Sequence, residues 1–375
     1  MKRLYLLLTL LGLCSSCSNV APTATAPLVQ PTATLVAPTN TPQPTATLLP
    51  TATQQPTPLP PAINAQNASL VDKLGEMSAP SVRKVVFSQD EQIFATGAGN
   101  ETDFGIKTWQ SQGGALLHSF TGFSGIVWDL AYSPDGQWIA SAADDQNGLR
   151  VRIWNAANGN QLVVLNGPPT ASSVAFSPDG TLLAVGGLSG WPNGVIWIYD
   201  TGTWKMIQLL TAPGQNVTAL VFNHDGSRLI SSGTDGQIRL WYMPQGTQTK
   251  VMSAGKQANR LALSPDGSLL ASSFCTKTDS SGCIQGGIAI WRTYDWTVML
   301  KFEDIAESLA FSADDSLLIS GSGPNDPLIR IRRVEDWTVL RTLPGEAFSV
   351  ALSPDMRLLV SSNWKNIFLW GLRQN

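Results

Sequence analysis

The chain has 375 residues, 43% of them hydrophobic and 14% charged, with a formal net charge of −3. That balance excludes a largely disordered or coiled-coil protein, and it offers neither nucleic acid nor an anionic membrane surface an electrostatic partner. The 33 Gly and 13 Trp suit a loop-rich globular domain.

Met1-Lys2-Arg3 is a basic start, residues 4–13 are apolar, and Ser15-Ser16 leads into Cys17. An apolar run this short cannot span a bilayer, which needs about 20 residues, but it suits a secretory signal. The arrangement resembles a bacterial lipoprotein signal over residues 1–17, in which the cysteine after the cleavage site is lipidated. Cys17 is the expected lipid-bearing residue because small Ser16 precedes it. Cys14, with Leu11 three places upstream but bulky Leu13 directly before it, is the alternative, as is a signal that is simply cleaved. Two or more acyl chains would anchor stably. The expected location is therefore exported and lipid-anchored to the bacterial cell membrane, with the domain on the extracytoplasmic side.

Residues 18–63 are dominated by Pro, Thr and Ala, with repeats such as Pro22-Thr23-Ala24-Thr25 and Pro44-Thr45-Ala46-Thr47. No core can be built from them, and repeated proline favours extended polyproline II. At ~3.1 Å per residue the segment could reach on the order of 130 Å. A disordered stalk is expected here.

A repeat fills residues 64–375. Its marks are Val86-Phe87-Ser88-Gln89-Asp90, Ala131-Tyr132-Ser133-Pro134-Asp135-Gly136, Ala175-Phe176-Ser177-Pro178-Asp179-Gly180, Val221-Phe222-Asn223-His224-Asp225-Gly226, Ala262-Leu263-Ser264-Pro265-Asp266-Gly267, Ala310-Phe311-Ser312-Ala313-Asp314-Asp315 and Ala351-Leu352-Ser353-Pro354-Asp355-Met356. Ser-Pro-Asp-Gly is turn chemistry: proline presets φ, Asp bonds nearby backbone, and Gly accepts the left-handed position. Asp recurs in all seven copies, which gives it the role of holding the turn. A strand precedes and another follows each turn. A third ends on Trp109, Trp154, Tyr199, Trp241, Trp291 or Trp370, with Arg332 in the sixth copy. Fourth strands are expected at 116–120, 162–165, 206–210, 250–253, 298–302 and 339–343. Short strands apolar on both faces need sheets packed on sheets, and a radial array of four-stranded sheets meets that need.

These features resemble the WD-repeat β-propeller family, in a divergent bacterial form. Trp154, Trp241, Trp291 and the Tyr199-Asp200 pair stand where the family has its Trp-Asp dipeptide. The family's Gly-His is absent, and the chain's two histidines, His118 and His224, lie elsewhere. The His-Asp-Ser-Trp hydrogen-bond network is therefore expected not to form. The resemblance implies an all-β, seven-bladed propeller of four-stranded antiparallel blades. Only five residues follow Trp370, too few for a last outer strand. Residues 70–74, from Leu70 to Leu74, match the outer-strand pattern and are expected to close the ring on the last blade. The ring needs no metal or disulfide for stability.

From Leu352 to Trp370 the chain advances 18 residues, but from Leu263 to Trp291 it advances 28. Such variation concentrates between the second and third strands, in loops that share one propeller face, and variable loops on a rigid scaffold are where binding resides. Asp144, Asp145, Trp191 and Trp364 lie in those loops. Four residues before the turn aromatics, at the inner rim of the same face, lie Arg83, Trp128, Ser172, Thr218, Asn259, Glu307 and Phe348. Trp and Arg dominate interface hot spots. The expected partner-binding set is Arg83, Trp128, Asp144, Asp145, Trp191, Asn259, Glu307, Phe348 and Trp364. Cys275 and Cys283, in the longest loop, are expected to form a disulfide in an oxidising compartment. Trp204, Trp296 and Trp337 are expected to cover blade rims.

No Gly-x-Ser-x-Gly elbow, phosphate loop or paired-histidine motif is present. No cofactor, metal or catalytic residue is expected, and His118 and His224 read as structural or solvated. The function this supports is a non-catalytic scaffold for protein–protein interaction at the bacterial cell envelope: a monomer with an unidentified protein partner on the variable-loop face and membrane contact through its lipid. A glycan-binding propeller is one alternative. A hydrolase or lyase using the funnel carboxylates Asp129 and Glu307 is another.

Overall fold

The structure, a computed structural model, describes residues 59–99, 104–144, 150–190, 193–214, 216–279 and 282–373. They form seven four-stranded antiparallel sheets, the blades of a propeller. Blades one to six are continuous, at 82–120, 127–165, 170–213, 217–253, 257–302 and 308–344. The seventh combines 349–371 with the strand Asp72–Ser78. Inner strands pack neighbour on neighbour, and Ser349–Leu352 meets Val82–Phe87 to complete the circle.

Alternation within the strands explains the stacking. Leu183 and Val185 of the third blade face Ala140, Val151 and Ile153 of the second across one buried cluster. The aromatic that ends each third strand packs on the blade before it. Trp154 joins Ile106 and Phe120, Trp241 joins Ile196 and Ile198, and Trp109 joins Val360 and Ile367 across the closure. Each indole also needs an acceptor once buried. Trp109 donates to Thr96 Oγ1 (2.9 Å), Trp154 to Ser141 Oγ (3.1 Å), and Trp241, Trp291 and Trp370 to Ser231, Ser272 and Ser361 (each 2.8 Å). The expectation that the family network would be absent is thus corrected in part. Its histidine end is missing, yet its hydroxyl–tryptophan end stands in five blades. In the sixth, Arg332 fills the indole's place, with its guanidinium 4.6 Å from the Phe302 ring centre and ion-paired to Asp304.

All seven turn aspartates do the same work. In six turns the preceding Ser Oγ donates to Asp Oδ1 at 2.5–2.7 Å. In all seven the amide two residues on donates to the same carboxylate, as Ser227 N does to Asp225 at 2.8 Å. The next corner is left-handed. Gly136, Gly180, Gly226 and Gly267 fill it freely, but Glu91, Asp315 and Met356 hold φ of 65°, 61° and 59° there. His224 reaches the Ser264 carbonyl of the next blade's turn at 3.3 Å, which ties neighbouring turns together.

Two further expectations are corrected. The closing strand is Asp72–Ser78 rather than 70–74, paired from Asp72 with Gly371 to Ser78 with Asn366. Ala68–Leu70 is a short 3-10 turn instead. Ala68 and Val71 are drawn into the core between blades six and seven, where Arg341 Nε donates to the Val71 carbonyl. The pairing can begin only after that plug. The long loop at 274–287 is in fact a hairpin, Leu269–Asp279 with Gly282–Arg292, paired out to Asp279 and Gly282. Cys275 and Cys283 are joined across it, with Cα atoms 5.8 Å apart.

Ile63 is buried with Val71 and Ile329, its amide donates to the Met356 carbonyl at 2.7 Å, and Arg357 Nε donates to the Pro60 carbonyl. The first described residues therefore lie against a Ser-Pro-Asp turn, on the face opposite the variable loops.

Candidate interaction face

Inner strands start on the loop face, and their first turns of register are irregular. Pairing with the second strand skips one residue in each of blades one to four, leaving Arg83, Trp128, Ser172 and Thr218 in β-bulges. The fifth blade skips two, Asn259 and Arg260. In blades six and seven Glu307 and Phe348 directly precede shorter inner strands. A bulge re-aims its side chain, which turns this ring of residues toward the axis and the loop face.

One residue deeper, a circuit of polar bonds crosses every junction between blades. Lys84 Nζ pairs with Asp129 Oδ1 at 2.9 Å, while Asp129 Oδ2 accepts from Ser173 Oγ and Val174 N, both at 3.0 Å. Ser172 Oγ donates to the Val217 carbonyl, Thr218 Oγ1 to Ala258, and Arg260 Nε to Glu307. Val350 N donates to Ser308 Oγ and Val85 N to Ser349 Oγ, each at 3.0 Å. Asp129, one of the two funnel carboxylates considered for catalysis, has both oxygens committed to these bonds. It works as a staple between three blades.

Above the circuit lies an aromatic cluster. The Arg83 guanidinium carbon is 3.9 Å from the Trp364 ring centre, 5.2 Å from Trp128 and 5.9 Å from Phe348. Phe348 meets Trp364 edge-on at 4.7 Å. Trp128 remains 38% exposed and Trp364 41%. Burial, and secondarily the charge of Arg260, lowers the Arg83 pKa from its ordinary value, with Glu307 acting the other way. Its Nε is buried and has no hydrogen-bond partner among the described residues. Arg83, Lys84 and Arg260 line a narrow axial channel of about 90 Å³ whose one lining carboxylate is Asp129. Beside its mouth a groove of about 500 Å³ runs past Trp128, Asp144, Asn259, Arg260, Cys283 and Glu307.

Arg83, Trp128, Phe348 and Trp364 thus come together, and Trp128, Asp144, Asn259 and Glu307 share the adjoining groove. Asp145 and Trp191 lie outside the described residues, as does Cys17. Two residues escaped the sequence reading: Arg260, hidden because its bulge is a residue longer than its siblings', and Lys84. Counting three residues back from each turn aromatic, instead of four, finds both. Trp204 and Trp337 do reach preceding blades, against Trp138 (5.2 Å) and Phe302 (5.8 Å).

The family model described as WD domain, G-beta repeat matches residues 114–155, 159–200 and 204–242. Each match runs from the approach to one blade's outer strand through the third strand of the next blade. These three stretches match the WD40 repeat model. The matched stretches take in the first three strands of each of blades two to four. Among curated proteins the chain is similar to Periodic tryptophan protein 2 of Arabidopsis thaliana, at 26% identity over 64% of this chain and 26% of that protein. It is 26% identical to Eukaryotic translation initiation factor 3 subunit I of Emericella nidulans over 50% of this chain and 57% of the relative. It is 25% identical to Guanine nucleotide-binding protein subunit beta of Oryza sativa subsp. japonica, over 41% of each. The chain spans less than two thirds of the length of each of these relatives.

Proposed function

We propose that this protein is a non-catalytic scaffold that binds another protein through its loop face, as a monomer held at a bacterial cell envelope by lipid on Cys17. The observation that carries the binding reading is the half-exposed cluster of Arg83, Trp128, Phe348 and Trp364 at the channel mouth. A half-buried Arg between large aromatics, rimmed by polar loops, has the make-up of an interface hot spot. Two relatives bear names that mark them as subunits of larger assemblies, which agrees with a scaffold. The commitment of Asp129 to inter-blade bonds argues against catalysis by that carboxylate.

Capture from the native envelope tests the binding face. Wild type should retain a partner that a Trp128→Ala/Phe348→Ala variant loses at equal fold stability; identical capture by both would remove the face from consideration. Metabolic labelling with radioactive palmitate should mark wild type and leave Cys17→Ala unlabelled. Label that persists in that variant would contradict Cys17 as the anchor.

A further inference from the structure

We infer that the channel mouth is a receptor for a single carboxylate, presented by an extended segment of the partner protein. The inference rests on the loop-face reading above and adds the chemistry of what is bound. Three observations carry it. First, aromatic rings surround the Arg83 guanidinium, and its buried Nε has no hydrogen-bond partner among the described residues. A half-buried guanidinium whose Nε lacks an acceptor still has its forked terminal donors to offer, and a carboxylate is the group that matches them in shape and charge. Second, the channel concentrates positive charge in a protein of net charge −3. Arg83, Lys84 and Arg260 converge there, and Asp129 already answers Lys84. Arg260 spends its Nε on the Glu307 carbonyl, which fixes the stem and leaves the guanidinium's charge at the mouth. Third, the space is graded. A channel of about 90 Å³ is far smaller than the roughly 300–1,000 Å³ of sites that enclose whole small molecules. It admits one side chain or one chain end. The groove of about 500 Å³ beside it shares Trp128 and Arg260 with the channel and can seat the flanking backbone. A segment would lie along that groove, drop one carboxylate between Arg83 and Arg260, and rest an apolar neighbour on Trp128.

The carboxylate could belong to an Asp or Glu side chain or to a chain terminus. The test is selection of a random dodecapeptide phage library on the full-length protein. Enriched peptides are then synthesised in amide-capped form, in free-acid form, and with each acidic residue replaced by its amide. The expected result is an acidic residue at one fixed place in the enriched sequences and at least a ten-fold loss of affinity on Arg83→Gln, with partial recovery in Arg83→Lys. Amide replacement should cost a similar factor. Binding that survives side-chain replacement but not capping assigns the carboxylate to a terminus; the reverse assigns it to a side chain. The inference is overturned if enriched peptides lack a required carboxylate, if Arg83→Gln binds them equally, or if nothing is enriched over that variant. Peptides lost on Trp128→Ala but kept by Arg83→Gln would leave the loop face standing and remove only the carboxylate.

Discussion

Glu91 stands at a corner that four sibling turns give to glycine, with φ of 65°. A left-handed backbone costs an L-residue about 1–2 kcal/mol, part of which glycine's own flexibility offsets. Burial, and then the neighbouring Asp355 carboxylate, also raises the Glu91 pKa. Glu91→Gly should therefore stabilise the fold by about 0.5–1 kcal/mol at neutral pH, read from denaturant midpoints. Five of the turn aspartates behave in the opposite sense. At Asp179 the Ser177 hydroxyl and then the Thr181 amide lower the pKa, and at Asp225 the hydroxyl and then the amide of Ser227 do so. At Asp266, Asp314 and Asp355 burial works against the charge, but the same kinds of bond outweigh it. Such carboxylates hold protons less readily folded than unfolded, so the unfolded chain takes up more protons as acid is added. Their contribution is present above the ordinary aspartate value of about 3.9 and is lost as pH falls through the lower folded values. The melting temperature should stay level from about pH 7 to about pH 5 and drop below about pH 4, with Asp179→Asn flattening that drop. A melting temperature indifferent to acid would contradict the role given to the turns.

At the scale of elements, the closing strand joins chain segments nearly 300 residues apart, as Asp72 with Gly371 and Ser78 with Asn366 show. Removing residues 64–78 should uncover the edge of Asn366–Gly371 and the Ile329–Leu343 core, and lower the melting midpoint cooperatively. An unchanged melt would mean that the ring does not depend on this strand. The fifth-blade hairpin offers a contrast, since its disulfide spans a separation of only eight residues. A bridge that short is worth at most about 2.6 kcal/mol in chain entropy. Because backbone pairing already holds the hairpin, Cys275→Ala/Cys283→Ala should cost less than that and leave the blade folded. The seven turns and the third-strand aromatics were readable in the sequence because each is a local pattern repeated at a near-fixed interval. Three features were not readable. The start at Asp72 depends on Ala68 and Val71 being recruited into a distant core. The extra residue in the Asn259-Arg260 bulge shifts which side chain faces the axis without changing the motif around it. The Cys275–Cys283 hairpin looks like a loop because Lys277, Thr278 and Gln285 carry no strand alternation, although they pair.

For the whole molecule, stability around the axis comes from a closed circuit in which each blade is bonded to the next. Asp129 is the residue that serves two junctions at once, through Lys84 on one side and Ser173 and Val174 on the other. Asp129→Asn should cost about 2 kcal/mol, since it weakens both junctions and leaves a partly buried lysine unanswered. Amide exchange should then quicken in the inner strands of blades one to three and remain slow in blade five. Uniform acceleration around the ring would show that the junctions act as one cooperative unit. The start of the described chain adds a different kind of consequence. Ile63 and Pro60 are clasped by Met356 and Arg357 at a Ser-Pro-Asp turn, on the reverse of the face where Trp128 and Trp364 are exposed. The domain is sided, like a dish fixed by its back. A support attached at Leu59 would meet the turns and leave the rim of aromatics open to whatever approaches from beyond, whereas one attached at Trp364 would cover the mouth. Immobilising the protein in those two orientations should give a surface that still binds and one that does not.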